Sequence, residues 1–375
     1  MMKNIQMVDL VKQYHHIKNE VDEAMQNVLN SASFINGNAV SHFANEFASY
    51  TGAKHVIPCA NGTDALQIAM MALGLEPGDE VIVPAFTYVA TAEVLGLLHL
   101  TPVMVDVDEN TFNILPDLIE KAITPKTKAI VPVHLFGQAA PMTEIMAIAS
   151  KHNLYVVEDN AQAIGSVCTL DDVQKQTGTI GDIGCTSFFP SKTLGCYGDG
   201  GALTVNDDDL AERIHLIANH GQKVKYKHDV IGVNSRLDSL QAAILGVKLS
   251  KLDSYIGNRQ RTADFYDAHL NEIKGLHTPS RAQYSTHVFH QYTLKIMDGS
   301  RDELKEFLAK QGIPSMIYYP FPLHEQKAFK GIARLGSDLL VSEQLCREVL
   351  SLPIHTEQKE EELRYITDKI KSFYA

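Results

Sequence analysis

The 375 residues contain no tryptophan, no C-x-x-C pair and no apolar run approaching the roughly 18 residues that span a bilayer. Each absence removes a class of function. Five cysteines (Cys59, Cys168, Cys185, Cys196 and Cys346) are too few, odd in number and wrongly spaced for a disulfide framework or a zinc ribbon, and they fit a reducing cytoplasm. The first twenty residues lack the apolar centre of a signal peptide, so the expectation is a soluble, unexported protein without a membrane partner. Positive charge is also scarce: the net charge is -12, with no long basic run, which argues against a nucleic-acid partner, because phosphate binding needs clustered basic surface. No G-x-G-x-x-G separates an early strand from a helix, no H-E-x-x-H is present, and no G-x-x-x-x-G-K-[ST] is found. A nicotinamide dehydrogenase, a metallohydrolase and a P-loop phosphotransferase are therefore set aside, and no metal is expected.

What is present is an ordinary globular composition, 45% hydrophobic and 21% charged. Seven short apolar runs (HVIPC, EVIVPAF, TPVMVDV, KAIVPVHLF, NLYVVEDN, CTSFFP and GALTVN) lie between residues 55 and 206, separated by helical patterns. This alternation predicts an α/β fold: a mostly parallel, seven-stranded mixed sheet between helices. Ala65, Leu66, Ala69, Met70 and Leu73 recur at helical spacing, with Gly74 where a left-handed cap is favoured. Beyond residue 207 the pattern turns helical, and residues 239–270, free of proline, read as one long linking helix. A boundary near 250 would divide a large domain, 1–250, from a small α+β domain, 251–375. The small domain has candidate strands at 287–297 and 315–320 and helices at 300–312, 337–352 and 361–374.

Three constellations carry chemistry. Ala60-Asn61-Gly62-Thr63-Asp64 follows a strand and opens a helix, so free backbone amides would face any anion there, although Asn61 or Thr63 as a plain helix cap explains the same residues. Asp159 ends an apolar strand, where open sheets place ligands, and a carboxylate there suits a protonated heterocyclic nitrogen; a turn-capping role is the structural alternative. Strand alternation points Glu158 the other way. Lys192 stands between the aromatic run at 188–189 and the glycine-rich turn 198–201, a setting that would desolvate an ammonium, lower its pKa and make it nucleophilic. Ser187, five residues earlier, could reach the same phosphate.

In their order along the chain, the segments ANGTDAL (60–66), PAFTYVAT (84–91), DVD (106–108), VHLFGQ (133–138), VEDNAQA (157–163), SFFPSK (187–192) and GDGGA (198–202) resemble the DegT/DnrJ/EryC1 family of sugar aminotransferases, pyridoxal-phosphate enzymes of fold type I. The resemblance runs from DLVKQY near the start to YYPFPLH at 318–324. It implies a pyridoxal 5'-phosphate cofactor whose phosphate meets Gly62, Thr63 and Ser187. By the same resemblance, Tyr88 stacks on the ring, Asp159 pairs with the ring nitrogen, Gln162 bonds the ring hydroxyl, and Lys192 carries the cofactor and moves protons. It further implies that Asn234 reaches the cofactor phosphate of a neighbouring subunit and that Arg236 contacts substrate, so the active unit would be a homodimer with a shared site. Tyr88 as a core aromatic and Arg236 paired with a surface carboxylate are the alternatives. His134, Gly221 and Gln222 also sit in family-like segments and receive no role.

The implied reaction takes an amino group from glutamate, releases 2-oxoglutarate and aminates a nucleotide-linked keto-sugar. The runs at 219–228, 232–238 and 241–245 resemble members that aminate carbon 3, including those using a UDP-linked 2-acetamido-3-keto-glucuronate, whose carboxylate Arg236 could read bidentately. Against the uronate stands Tyr318, with Tyr319 beside it, where uronate-using members often carry histidine; a neutral dTDP- or UDP-keto-deoxyhexose is the alternative. Lys223, Lys225, Lys227 and His228 could meet a nucleotide diphosphate or form a solvated loop. Sugar dehydratases on this fold carry histidine at the lysine position, so Lys192 favours amino transfer. A regulator that binds the cofactor without turnover would not need Asp159, Gln162 and Lys192 together. The pathway expected is surface polysaccharide or lipopolysaccharide assembly.

Overall fold

The computed structural model describes residues 5–375. All seven expected strands form, and they build one sheet in the spatial order His55–Cys59, Gly201–Val205, Ile183–Ser187, Tyr155–Asp159, Thr127–Ile130, Glu80–Pro84, Thr101–Val105. Gly201–Val205 runs antiparallel to both its neighbours; from Ile183–Ser187 onward the pairings are parallel. An eighth strand, Arg334–Leu335, joins parallel to Thr101–Val105 at the edge. Two residues are too short to leave a period in the sequence.

Helices cover both faces because the strands are apolar on both. Val81 and Val83 belong to one buried cluster with the Gly62–Ala72 helix, whereas Ile82, Val103 and Val105 belong to another that includes Met142 and Ile145 of the Met142–His152 helix. The Gly62–Ala72 helix starts where expected: Asn61 adopts extended backbone and its side chain accepts the Asp64 amide at 2.8 Å. It closes through Gly74, whose φ of +70° is the left-handed conformation that glycine tolerates.

Residues 239–270 form two helices, Ser239–Leu249 and Leu252–Leu270, not one. The backbone tightens at Lys251, whose amide bonds the Lys248 carbonyl three residues back, and this turns Leu252 into the core. Past this break a three-stranded antiparallel sheet, Leu276–His277, Tyr292–Ile296 and Val349–Leu352, gathers its own apolar cluster with Ile5 and the Glu360–Tyr374 helix. Two expectations here fail. The segment 337–352 is helical only over Leu340–Glu348 and then becomes a strand, and 315–320 forms no strand, only a bridge from Met316 to Ser351.

Glu158 faces away from Asp159, as alternation requires, and is fully buried. Its carboxylate accepts the amides of Gly178, Ile180 and Gly181, each at 2.7 Å, and meets His134 Nε2 at 2.8 Å; His134 Nδ1 accepts the Ala140 amide. The segment that leads into the Ile183–Ser187 strand and the segment that follows Thr127–Ile130 are thus both tied to the Tyr155–Asp159 strand from below. Glu158→Ala should lower the unfolding free energy by about 3 kcal/mol or more, since three buried amides lose their acceptor at roughly 1–3 kcal/mol each. Urea denaturation measures it; a loss below about 1 kcal/mol would contradict this reading.

Candidate active site

At the carboxyl edge of the parallel strands lies a cleft of about 810 Å³. Nine of the eleven residues singled out from the sequence line it: Gly62, Thr63, Tyr88, Asp159, Gln162, Ser187, Lys192, Tyr318 and Tyr319. Asn234 and Arg236 do not; Asn234 is exposed and Arg236 half-buried on the segment that precedes Ser239–Leu249.

One end of the cleft is a helix start. The Asn61 side chain takes the Asp64 amide and its carbonyl takes the Ala65 amide, which leaves the Gly62 and Thr63 amides without intrahelical partners. Ser187 is brought against them by the absence of side chains: a Cβ on Gly62 would fall 2.7 Å from Ser187 Cβ, and one on Gly201 would fall 2.5 Å from the Asn61 carbonyl. Two backbone amides and two hydroxyls converging on a helix N-terminus suit a phosphate.

In the middle are the charges. Asp159 is buried, with Oδ2 accepting from the Thr91 hydroxyl at 2.8 Å and Oδ1 from the Ala161 amide at 3.1 Å. Burial pushes its carboxyl up, and Thr91, Ala161 and Lys192 pull the other way. Among the described residues no Lys, Arg or His comes within ion-pair distance of it, so the carboxylate is under-neutralised and suited to a cationic ring N–H. The protein packed around the Lys192 ammonium lowers its pKa to about 8, while the charge of Asp159 holds it from falling further. Its Nζ has no hydrogen-bond or ion-pair partner among the described residues.

The aromatic side completes the cleft. Tyr88 is 57% exposed there and lies 6.3 Å from the Tyr319 ring, which packs on Phe86 and Phe136. An aromatic so exposed is not core packing, and it leaves its ring open to the cleft. Gln162 is fixed at both ends, its Oε1 accepting the Phe136 amide at 2.8 Å and its Nε2 donating to the Tyr319 hydroxyl at 3.0 Å. The amide that the sequence pointed to as a partner for a ring hydroxyl is therefore engaged with Tyr319 in this structure.

Two residues of the site were missed from the sequence. Thr91 closes the PAFTYVAT run, three residues beyond Tyr88 and in the first turn of the Ala90–Leu97 helix, and its hydroxyl orients Asp159. His290 lines the cleft, is buried, and is held well below the ordinary histidine pKa by burial and by Lys192 and Arg259, so it stays neutral. Its signal, a histidine inside an apolar strand pattern, resembles that of a core histidine.

With this geometry in view, comparison with known proteins is decisive. The model of the DegT/DnrJ/EryC1/StrS aminotransferase family matches residues 15–371. The chain belongs to that family. A UDP-2-acetamido-2-deoxy-3-oxo-D-glucuronate aminotransferase of Pseudomonas aeruginosa is 47% identical over 94% of this chain and 95% of its own. A pleiotropic regulatory protein of Geobacillus stearothermophilus is also 47% identical, over 99% of both chains. Among solved structures, DesV of Streptomyces venezuelae superposes with a TM-score of 0.95 at 37% identity, covering 100% of this chain and 99% of its own. This DegT-family chain is a pyridoxal-phosphate-dependent aminotransferase, and the donor set of the cleft fits that cofactor: a helix start with free amides, a buried carboxylate without an ion-pair partner among the described residues, an exposed aromatic and a lysine likewise unpaired.

In cofactor-free protein, amine-selective labelling of Lys192 should rise with a midpoint near pH 8, against about 10.4 for an ordinary lysine. Asp159→Asn should move the midpoint lower, because the carboxylate is what holds it up. A wild-type midpoint near 10 would contradict the desolvation account.

Proposed function

We propose that this chain transfers an amino group from glutamate to carbon 3 of a UDP-linked 2-acetamido-3-keto sugar, with the glucuronate as the preferred substrate. The observation that carries the amino-transfer chemistry is the pairing of a desolvated, unpartnered Lys192 with a buried, unpaired Asp159 in one cleft. The choice of carbon 3 rests on relatives: the Pseudomonas enzyme is joined by a UDP-N-acetyl-3-dehydro-α-D-glucosamine 3-aminotransferase of Acidithiobacillus ferrooxidans, 45% identical over 98% of this chain.

Gly62, Thr63 and Ser187 would hold the cofactor phosphate, Tyr88 the ring face, Asp159 the ring nitrogen and Gln162 the ring hydroxyl, after exchanging its bond to Tyr319. Bound pyridoxal phosphate supplies an electron-accepting ring that stabilises negative charge on the carbon bearing the transferred amine. Lys192 supplies the base: with a pKa of about 8, Nζ is partly deprotonated near neutrality, takes the proton from the α-carbon of glutamate and returns it later. Asp159, kept out of water, opposes loss of the ring N–H proton. Tyr318, Tyr319 and neutral His290 shape the substrate side.

Asn234 and Arg236 lie outside their own chain's cleft, which supports a homodimer in which each enters the neighbouring site. We assign residues 1–250 to cofactor binding and 251–375 to a smaller domain, a division supported by the separate apolar cluster that, Ile5 apart, is drawn from residue 263 onward. A cytoplasmic setting, supported by five free, buried cysteines, and a role in surface polysaccharide or lipopolysaccharide assembly complete the reading. Tyr318 favours a second reading, a neutral 3-keto sugar.

The test runs in reverse, from a UDP-3-amino sugar and 2-oxoglutarate, with glutamate formation as the readout. We expect the 3-amino-glucuronate to react at least about tenfold faster than its 6-hydroxymethyl counterpart, because a bidentate Arg contact on its carboxylate is charge-assisted. We also expect Lys192→Ala to lose on the order of 10²- to 10⁴-fold. A preference for the neutral sugar would establish the second reading, and no glutamate from either sugar would refute carbon 3.

A further inference from the structure

Helix Ser239–Leu249 buries a charge for which the proposed chemistry has no direct use. Lys248 is 1% exposed and, among the described residues, has no carboxylate within ion-pair distance. Its ammonium donates to the Gly195 carbonyl and lies 5.1 Å over the Tyr197 ring. Seven residues earlier, and so two turns along the same helix face, Gln241 accepts the Tyr197 amide on Oε1 at 2.8 Å. Both side chains therefore grip residues 195–197, the return limb of the loop that begins at Phe188 and carries Lys192.

That loop is closed tightly on itself. The Lys192 amide bonds the Phe189 carbonyl at 2.8 Å, the Cys196 amide bonds the Phe188 carbonyl at 2.9 Å, and the Cys196 thiol adds a bond to the same carbonyl at 3.0 Å. A Cβ at Gly195 would come within 2.5 Å of the Pro190 carbonyl. The return limb thus packs directly beneath the turn that presents Lys192, and a shift of one carries the other.

We infer that Lys248 and Gln241 are positioning residues for Lys192: from one face of the Ser239–Leu249 helix they fix the 188–197 loop so that the Lys192 amine stays desolvated in the cleft. This rests on Lys192 as the cofactor lysine. Stability alone does not explain Lys248, because an unpaired buried ammonium is costly and an apolar side chain of similar length there would be neutral or stabilising. Burial lowers the pKa of Lys248 to about 8, Arg259 adds to the fall and Cys196 opposes it; Tyr197, whose ring is 6.0 Å from that of Tyr14, completes its surroundings. Lys192 is faced by Asp159 and by neutral His290.

The test uses the full chain, with Lys248→Met, Lys248→Arg and Gln241→Leu. In cofactor-free protein the midpoint for labelling Lys192 should rise by about one pH unit or more in Lys248→Met, because a loosened loop returns water to the ammonium, and by less in Gln241→Leu. In the loaded enzyme kcat should fall, on the order of 10²-fold for Lys248→Met, with KM for glutamate nearly unchanged. Lys248→Arg, which keeps a donor for the Gly195 carbonyl, should recover part of both. Should Lys248→Met not fold, Gln241→Leu decides alone. A midpoint that stays at the wild-type value, or a kcat within about twofold of wild type, overturns the inference. A separate control guards the underlying reading: bound cofactor must protect wild-type Lys192 from the reagent, and its failure would show as labelling of loaded wild type, whatever the variants do.

Discussion

A half-buried ammonium and a buried carboxylate share one cleft without being allowed to pair, and the rest of the site depends on that. Lys192 and Asp159 feel each other's charge, since each moves the other's pKa, yet they lie beyond ion-pair distance. Had they met, the lysine would be a neutralised structural cation with its proton held tightly. Held apart, the lysine titrates near 8 and the carboxylate is left wanting a cation, so both are poised for a ligand that satisfies them separately.

The fold maintains that separation through rigid neighbours. Asp159 ends one parallel strand and is pinned by Thr91 and the Ala161 amide, while Glu158, one residue earlier on the opposite face, is locked by three amides and His134. Lys192 comes from the loop between Ile183–Ser187 and the antiparallel strand Gly201–Val205. The reversal of strand direction matters here, because it makes that loop a return at the carboxyl edge instead of a crossover. Glycines at 62 and 201 then let the helix start and Ser187 crowd together beside it.

Much of this was legible in the sequence where a feature has a short period or a local cause. Seven strands showed as apolar runs, the Asn61 cap preceded its helix directly, and the alternation of Glu158 and Asp159 followed from strand geometry. Features set by distant contacts were hidden. The break at Ser250–Lys251 involves no proline or glycine; it coincides with Lys248 reaching into the loop at Gly195. Val349–Leu352 continues a helical apolar pattern and becomes a strand because Tyr292–Ile296 offers it an edge. The engagement of Gln162 with Tyr319 joins residues 157 positions apart, beyond any local pattern.

The most direct measurement is to load the protein with pyridoxal phosphate, reduce it with borohydride and locate the modified residue by peptide mass spectrometry. The account predicts a single stoichiometric adduct on Lys192, lost in Lys192→Ala without transfer to another residue. An adduct on another lysine, Lys248 included, or no adduct at all would contradict it.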